Sequence, residues 1–481
     1  MFVIDTMKNM SSSLLRSSQK RSNGLPLSFS TSQKGAQLHF SPHLLASRSS
    51  NIGIIALNRP LALNSLTLDM IRAMQSILTI WQEDTSLVAT LLEGSYNEKT
   101  KKTIFCAGGD VKAIALDGLG HTSHNVDCSE NKQHHPEAHG FGKRSILTAD
   151  FFREEYELNY NIAMQQGKYQ KPQISLWDGI VMGGGVGLSI HGSFRVATEN
   201  TLFAMPETGI GFFPDVGTTF WLSRIEKQHK GLGMFLGLTG WKLHSKDLLF
   251  ANIATHYIHS TKLPNLKKEL FLNASTPEDV LTILDKFHID PNEDLQTLVQ
   301  RKKKMNDDSD GSFIQKHMEE INSFFSSSEE NLHAQDSNNI TVLEILHKLS
   351  VSDSLFAQTI LSHLRKMSPT SLVVTAEGIQ LASQMEHIHD ALQMEYRICQ
   401  GFIRHHYESS QPYHINKSSD FYEGVRAVLI EKDGKPIWNP KRVEDVNMTL
   451  IKERFFMEGV LEGELSLNKY RVDQNDSSSK L

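Results

Sequence analysis

The sequence predicts an α/β protein whose C-terminal part is helical. Short runs of β-branched residues alternate with helical stretches up to about residue 301. A polar run rich in lysine, aspartate and serine then interrupts the pattern at residues 302–312. From residue 314 to residue 406 apolar side chains recur at helical spacing, as residues 343–349 illustrate. This spacing predicts nearly continuous helix over that region.

These changes of pattern predict the domain organisation. The predicted parts are a leader at 1–35, an α/β core at 36–301 with an insertion at 117–143, a polar linker at 302–312, a helical region at 313–470 and a disordered tail at 471–481. The insertion is rich in glycine and histidine and has no apolar periodicity. We therefore interpret it as a polar loop within the core.

Composition narrows the class of protein. The 481 residues carry 49 Lys and Arg against 55 Asp and Glu, which is a net charge of −6. A nucleic-acid partner is not expected, because neutralising phosphates requires an excess of basic residues. A membrane span is not expected either, since no run of about 18 apolar residues occurs. The three cysteines are too few and too scattered for a disulfide framework, which indicates a reducing compartment.

The first 35 residues differ from the rest of the chain. They contain nine serines, five basic residues and a single acid, Asp5. A serine-rich, basic, acid-poor leader is typical of an organellar transit peptide, and its apolar stretch is too short and polar for a secretory signal. A merely disordered N-terminus is the alternative interpretation. We expect import into mitochondria, with the matrix as the location.

Two glycine-rich turns each follow a predicted strand and precede a predicted helix. Residues 104–110 contain Gly108 and Gly109, and residues 182–185 contain three glycines ahead of a helix predicted to continue through Ser189. The first amides of a helix lack intrahelical acceptors and lie at the positive end of its dipole. Two such amides that converge on one oxygen would form an oxyanion hole for an acyl group. Simple helix capping is the alternative for either turn alone.

Other glycine-dependent sites are not supported. Leu188 breaks the third glycine position of the dinucleotide fingerprint that begins at Gly183. No phosphate-binding P-loop motif occurs, and Gly187 to His191 lacks the final glycine of a nucleophile elbow. The sequence therefore does not predict a nucleotide-binding enzyme of these classes or a serine hydrolase.

Two acidic residues lie in an otherwise largely apolar stretch after the second turn. They are Glu207 and Asp215. Burial raises the pKa of a carboxyl group, and a neighbouring negative charge raises it further, which suits a general acid or base near neutral pH. A structural role in capping or pairing is the alternative.

Taken together, these residues resemble the crotonase (enoyl-CoA hydratase/isomerase) superfamily, and most of all its 3-hydroxyisobutyryl-CoA hydrolase branch. The resemblance extends over roughly residues 43 to 460 and includes many ordered blocks. The matching stretches are 57–60, 62–64, 105–110, 151–156, 182–188, 204–207, 213–217, 367–371 and 423–429.

The resemblance implies a fold and a set of site residues. The fold would be a crotonase-like spiral of ββα repeats with an α-helical C-terminal region. The oxyanion hole would consist of the backbone N–H groups of Gly109 and Gly184, and Glu155, Glu207 and Asp215 would contact the substrate together with Gly184. The residues expected to border the CoA moiety are Leu61, Ala62, Leu63 and Asp110. CoA is part of the substrate, and no separate cofactor is expected.

The resemblance also distinguishes between reactions. Hydratases of the superfamily carry a second catalytic glutamate three residues after the middle glycine of the triplet, where this chain has Gly187. They usually carry glycine where this chain has Asp215. Both differences favour hydrolysis of a short β-hydroxyacyl-CoA, most of all 3-hydroxyisobutyryl-CoA in valine breakdown. Glu207 would attack the thioester or activate water, and the sequence leaves both open.

Two other functions stay open. Dienoyl-CoA and enoyl-CoA isomerases of the superfamily use a Glu and an Asp at the same spacing. Proteins similar to this branch also occur as structural subunits of some mitochondrial ribosomes. Beside the acyl-CoA substrate, the mitochondrial ribosome is therefore a second possible partner, and another copy of this chain is a third. The insertion holds five histidines and Cys128, but their spacing matches no zinc template, and no metal site is expected.

Overall fold

The computed structural model describes six stretches of the chain: residues 41–119, 146–294, 312–326, 341–403, 419–457 and 465–467. All six belong to the second of the chain's two structural units, His39–Leu481. The predicted leader and tail lie outside the described residues, as do most of the His-rich insertion and most of the polar linker.

Ten short strands build the sheets in the described stretches. They are β1 (Leu44–Ser49), β2 (Ile52–Leu57), β3 (Ala89–Glu93), β4 (Ser95–Asn97), β5 (Lys102–Ile104), β6 (Gln173–Trp177), β7 (Ile180–Met182), β8 (Phe194–Ala197), β9 (Leu202–Ala204) and β10 (His256–Tyr257). Six of them form the main sheet in the order β1-β2-β3-β6-β8-β10. β1 is antiparallel to β2, and all other neighbours in this sheet are parallel.

The main sheet is covered on both faces. Every residue of β6 is buried, as expected for a central parallel strand between two apolar layers. Ile52, Leu91 and Ile174 contribute to the smaller hydrophobic cluster, which includes Leu266 and Leu284 from two helices. The opposite face packs against the larger cluster, to which the C-terminal helices also contribute.

Sixteen α-helices occur within the described residues. They are α1 (Leu68–Glu83), α2 (Val111–Gly118), α3 (Ile146–Tyr169), α4 (Gly184–Gly187), α5 (Thr218–Gln228), α6 (Leu232–Thr239), α7 (Ser245–Phe250), α8 (Leu263–Asn273), α9 (Pro277–Phe287), α10 (Phe313–Phe325), α11 (Val342–Ser350), α12 (Leu355–Leu364), α13 (Pro369–Ala382), α14 (Ile388–Ile403), α15 (Asp420–Val425) and α16 (Met448–Ile451).

A second row of short β segments lies beside the main sheet. β7 pairs in parallel with β9, Cys106 bridges in parallel to Val181 of β7, and Phe203 of β9 bridges to Leu243. The chain alternates between the two layers, because β3, β6 and β8 enter the main sheet and the Cys106 segment, β7 and β9 follow in the second row. A helix or a 3₁₀ turn comes after each. This ββα spiral confirms the predicted fold class.

The C-terminal part of the described chain is helical, as predicted, but not as one nearly continuous helix. The helices α10 to α14 are separate, and serine N-caps begin three of them, the first being Ser312 ahead of α10. Ser354 accepts a hydrogen bond from Ala357 N–H at 3.0 Å, and Ser368 accepts one from Ser371 N–H at 3.0 Å ahead of Pro369. Such caps satisfy orphan amides and start a new helix, which the apolar periodicity alone does not reveal. The helix expected through Ser189 is also shorter, since α4 ends at Gly187.

Among the described residues, no helix has both the length and the apolar character needed to cross a lipid bilayer.

Candidate active site

The two glycine turns lie side by side because the β segments before them pair. Cys106 N–H donates to Ile180 C=O at 2.9 Å, and Met182 N–H donates to Cys106 C=O at 3.0 Å. The turn at Gly108 and Gly109 follows the first segment, and the turn at Gly183 to Gly185 follows β7. Parallel neighbours end at the same edge, so both turns open onto one place.

The amides of the two turns are close neighbours. An ideal Cβ placed on Gly184 would lie 3.3 Å from Gly109 N, and one placed on Gly108 would lie 3.5 Å from Gly184 N. The φ angles of Gly108 and Gly183 are +104° and +50°, which glycine adopts without strain. Gly184 is the first residue of α4, so its N–H has no intrahelical acceptor. The amides of Gly109 and Gly184 therefore lie next to each other, as an oxyanion hole requires.

Two glutamates face the second glycine turn. Glu155, on α3, has its Oε1 2.3 Å from the position that a Cβ on Gly184 would occupy. Glu207, in the 3₁₀ turn after β9, has its Oε1 3.0 Å from a Cβ placed on Gly183. Both side chains are buried, with 2% and 7% of each residue exposed. The structure thus brings four of the predicted site residues together.

Asp215 joins the same site through Tyr156. The Tyr156 hydroxyl donates to Asp215 Oδ2 at 2.8 Å, and Tyr156 is the residue next to Glu155 on α3. Both Tyr156 and Asp215 are buried. All five residues expected to form the oxyanion hole and the acidic site therefore lie in one region.

The three carboxyl groups are held in a low-dielectric environment. Burial raises the pKa of Glu155 and Glu207 well above the ordinary range, and the nearby Asp215 raises both further. Burial also raises the pKa of Asp215, to about 7, although the Tyr156 hydrogen bond opposes the shift. None of the ion pairs found among the described residues involves these three acids. Such groups are suited to proton transfer near neutral pH.

The peptide after Asp215 is held by hydrogen bonds on two sides. Val216 has a φ angle of +58°, an uncommon conformation for a β-branched residue. The His191 imidazole Nε2 donates to Val216 C=O at 2.7 Å. The Glu395 carboxylate, on α14, accepts from Gly217 N–H at 2.5 Å, and from Thr219 N–H and hydroxyl at 2.9 and 2.6 Å.

The predicted CoA-bordering segment lies beside the first glycine turn. Ala107 N–H donates to Leu63 C=O at 3.0 Å, so the loop and the turn are in contact. Leu61 and Leu63 are exposed, with 71% and 40% of their surface accessible. Asp110 caps α2 through Ala113 N–H and pairs with Arg59 at 2.8 Å. Asp110 therefore has a structural role at this position, whatever else it contacts.

Gly187 has no room for the glutamate that hydratases carry at this position. A Cβ there would lie 2.6 Å from Val216 Cβ and 3.0 Å from Asn159 Nδ2. Side chains from α3 and from the residue after Asp215 therefore lie too close for a side chain on residue 187. Any acidic group at this position would have to displace them.

Several residues of this region were not identified by the sequence analysis. Tyr156 lies within a quoted stretch but was given no role, and Asn159 follows Glu155 by four residues, the spacing of one helix face. Helical spacing could have indicated Asn159. Nothing local could have indicated His191 or Glu395, because each reaches the site only through tertiary contacts.

Within the part of the chain that the structure describes, no group of three or more His, Cys, Asp or Glu side chains is arranged to hold a metal ion. The His-rich segment lies outside that part. Cys106 is fully buried between the paired β segments, and burial raises the pKa of its thiol to about 12. A protonated thiol is a poor nucleophile, so Cys106 is a packing residue.

Known proteins resemble this chain over most of its length. The family model described as "Enoyl-CoA hydratase/isomerase" matches residues 52–456. The chain is 41% identical over 396 residues to the mitochondrial 3-hydroxyisobutyryl-CoA hydrolase of Mus musculus, covering 82% of this chain and 83% of the relative. It is 37% identical over 414 residues to the human protein of the same name, covering 86% and 88%.

Solved structures show the same fold. A carnitinyl-CoA dehydratase from Mycobacterium thermoresistibile superposes with a TM-score of 0.66 at 29% identity, covering 89% of this chain and 99% of that one. An enoyl-CoA hydratase from Rhodobacter sphaeroides superposes with a TM-score of 0.62 at 27% identity, covering 86% and 97%. The chain belongs to the enoyl-CoA hydratase/isomerase family.

Proposed function

We propose that this protein hydrolyses the thioester of a short β-hydroxyacyl-CoA, and that its substrate is 3-hydroxyisobutyryl-CoA. The products are then 3-hydroxyisobutyrate and free CoA, a step of valine breakdown. The observation that carries the proposal is the convergence of two neighbouring turn amides with three buried carboxyl groups. The relatives named 3-hydroxyisobutyryl-CoA hydrolase support the choice of acyl group.

The first step is polarisation of the thioester carbonyl. The Gly109 and Gly184 amides donate to the carbonyl oxygen and stabilise the negative charge that develops on it in the transition state. Because both donors are backbone groups, their positions are set by the paired β segments rather than by flexible side chains. One such donor is typically worth about 3 kcal/mol of barrier.

The second step is delivery of a nucleophile by Glu207. In one route the carboxylate of Glu207 attacks the carbonyl carbon, the C–S bond breaks, CoA leaves as a thiolate, and water then hydrolyses the mixed anhydride. In the other route Glu207 takes a proton from water, whose oxygen attacks the carbonyl carbon directly; the C–S bond then breaks and CoA leaves as a thiolate. Asp215 orients the reacting groups and transfers protons, while the Tyr156 hydroxyl fixes its carboxyl. Glu155 contacts the acyl portion beside Gly184.

The same geometry disfavours hydration of a double bond. That reaction needs one group to activate water and a second to manage the α-proton. Gly187 supplies no second group, and Val216 and Asn159 lie too close to it for a side chain at this position. Hydrolysis needs only the amides, one nucleophile or base and a proton shuttle, all of which are present.

The CoA portion is proposed to leave the site along the exposed loop at Leu61, Ala62 and Leu63. This loop contacts the first glycine turn, and its leucines offer apolar surface to the pantetheine arm. Asn64 holds the loop in place, since its Nδ2 donates to Ile104 C=O at 2.7 Å and its Oδ1 accepts from Arg59 N–H at 2.7 Å.

We place the protein in the mitochondrion, and the reaction in its matrix. The serine-rich basic leader and the mitochondrial names of the relatives support the organelle. Import of the full chain into isolated mitochondria, followed by protease protection after the outer membrane is opened, tests the matrix location. Self-association and binding to mitochondrial ribosomes stay predictions, which sedimentation of the full chain with and without ribosomal particles tests.

The decisive experiment measures thiol release by Glu207→Gln. The wild-type protein should release free CoA from 3-hydroxyisobutyryl-CoA, and the variant should be slower by about a thousandfold or more, because glutamine is neither a nucleophile nor a base. Glu154→Gln is the matched control. Glu154 precedes Glu155 on α3 but pairs with Arg72 at 2.7 Å, so its activity should stay near wild type.

Other outcomes point elsewhere. Absence of thiol release together with double-bond migration on a dienoyl-CoA would identify an isomerase. Inactivity on all thioesters and isomerase substrates, with co-sedimentation on ribosomal particles, would favour the structural role.

A further inference from the structure

The buried amide of Asn159 is a polar group that the proposed mechanism does not use. Asn159 lies on α3 and is completely buried. Neither its Nδ2 nor its Oδ1 has a hydrogen-bond partner among the described residues. A buried amide of this kind carries two donors and an acceptor and costs free energy when they stay unpaired. An unpaired amide beside a site is therefore evidence for a missing ligand group.

The position of Asn159 relates it to the acyl portion of the substrate. Asn159 follows Glu155 by four residues, which places it about one helical turn, a rise of about 6 Å, farther along the same face of α3. Glu155 Oε1 is adjacent to Gly184, and Asn159 Nδ2 is 3.0 Å from a Cβ placed on Gly187, at the other end of α4. Glu155 therefore lies beside the first residue of α4, and Asn159 lies beside its last residue.

This spacing matches the length of a β-hydroxyacyl group. With bond lengths near 1.5 Å, the hydroxyl oxygen of a 3-hydroxyacyl chain lies at most about 4 Å from the thioester carbonyl carbon. With the carbonyl oxygen at Gly109 and Gly184, the hydroxyl can extend toward Gly187. It then comes within reach of the Asn159 amide.

We infer that Asn159 is the residue that recognises the β-hydroxyl group of the acyl chain. The inference rests on the proposed hydrolase function and specifies how the substrate is selected. A hydroxyl both donates and accepts, so it can pair with Oδ1 as a donor or with Nδ2 as an acceptor. A site that offers a buried partner to a hydroxyl rejects an acyl chain that lacks one, because its polar atoms then stay unpaired.

The test compares two thioesters that differ only in the hydroxyl. The specificity constant kcat/KM is measured for 3-hydroxyisobutyryl-CoA and isobutyryl-CoA with the wild-type protein and with Asn159→Leu, which is similar in size. The wild type should prefer the hydroxylated thioester by about tenfold to a hundredfold. In Asn159→Leu this preference should fall below about threefold, through loss on the hydroxylated substrate alone.

Asn161→Leu is the matched control on the same helix. Asn161 is also buried and its Nδ2 has no partner among the described residues, but its Oδ1 accepts from Gln82 on α1. Its substitution should lower stability and leave the ratio of the two specificity constants unchanged. If Asn159→Leu does not fold, the same ratio of specificity constants is measured with Asn159→Ser, which is a smaller change.

The outcomes separate this inference from the function on which it rests. Equal losses on both thioesters in both Asn159 variants would overturn the inference and leave thioester hydrolysis intact. A wild-type protein that releases no CoA from either thioester would overturn the proposed function, and the inference with it. A reduced ratio confined to the Asn159 variants supports both.

Discussion

At Gly184 the absence of a side chain is what leaves space at the site. A methyl group there would lie 2.3 Å from Glu155 Oε1, a distance that real contacts do not reach, and 3.3 Å from Gly109 N. Either the glutamate or the turn would have to move. The missing Cβ of Gly184 therefore admits Glu155 beside the amide that we propose as an oxyanion-hole donor.

We expect Gly184→Ala to lower kcat/KM for 3-hydroxyisobutyryl-CoA by at least about a hundredfold, since displacement of one oxyanion-hole donor typically costs that much. Steady-state thiol release measures the effect. Gly209→Ala is the control, because its added methyl would make only ordinary contact, 3.4 Å from Met367 Sδ. Full activity of Gly184→Ala would contradict the assignment of this amide.

At the scale of elements, α14 completes a site that the spiral alone does not hold. Glu395 reaches from this helix to the amides of Gly217 and Thr219 and caps α5. Burial raises the pKa of Glu395 to about 8, against the effect of these hydrogen bonds. Together with His191 it holds the positive φ of Val216, next to Asp215. Strained backbone of this kind persists only where its surroundings enforce it.

We expect Glu395→Gln to lower kcat about tenfold with little change in KM. The side-chain NH₂ of glutamine cannot accept a hydrogen bond from Gly217 or Thr219, so the peptide after Asp215 can shift. Small misplacements of catalytic groups cost this much or more. The pH profile of kcat/KM should also shift, which loss of stability alone would not produce. Glu386→Gln, at an exposed position before α14, should match wild type. An unchanged kcat in Glu395→Gln would show that α14 does not position the Asp215 peptide for catalysis.

For the whole molecule, the buried acids oppose stability at neutral pH. Ordinary aspartate titrates near 3.9 when unfolded, whereas the folded-state pKa of Asp215 is about 7. The folded state therefore binds a proton more tightly than the unfolded state does. The stability contributed by that proton is complete below about pH 4 and is lost as the pH rises toward 7.

The neutral variant Asp215→Asn, which keeps an acceptor for Tyr156, should therefore unfold at a higher temperature than wild type at pH 8, by about 5 °C, and at a similar temperature at pH 4. Thermal unfolding monitored by circular dichroism at both pH values checks this. Asp84→Asn is the contrasting variant and should unfold at a lower temperature than wild type at pH 8. The pKa of Asp84 is lowered by the hydrogen bonds from Ser86, so its ionised form is the stabilising one. A variant less stable than wild type at pH 8 would refute the argument for Asp215.

Much of the architecture was predictable because its signals are local. The strand runs, the glycine turns and the helical C-terminal periodicity each depend on neighbours in the chain, and the ordered blocks that resemble the family identified Gly109, Gly184, Glu155, Glu207 and Asp215. Helix ends were less predictable. A serine N-cap stops one helix and starts another without altering the apolar spacing around it.

What the sequence by itself determined was which residues to expect at the site and in which repeated unit they lie. Only the tertiary structure decided how they meet, because the pairing of Cys106 with Val181 brings together turns about 75 residues apart. It also decided the supports of the site, since Glu395 and His191 contact the Asp215 peptide from distant elements. A contact between distant segments has no periodicity or spacing in the chain, and it depends on how layers pack around a shared core.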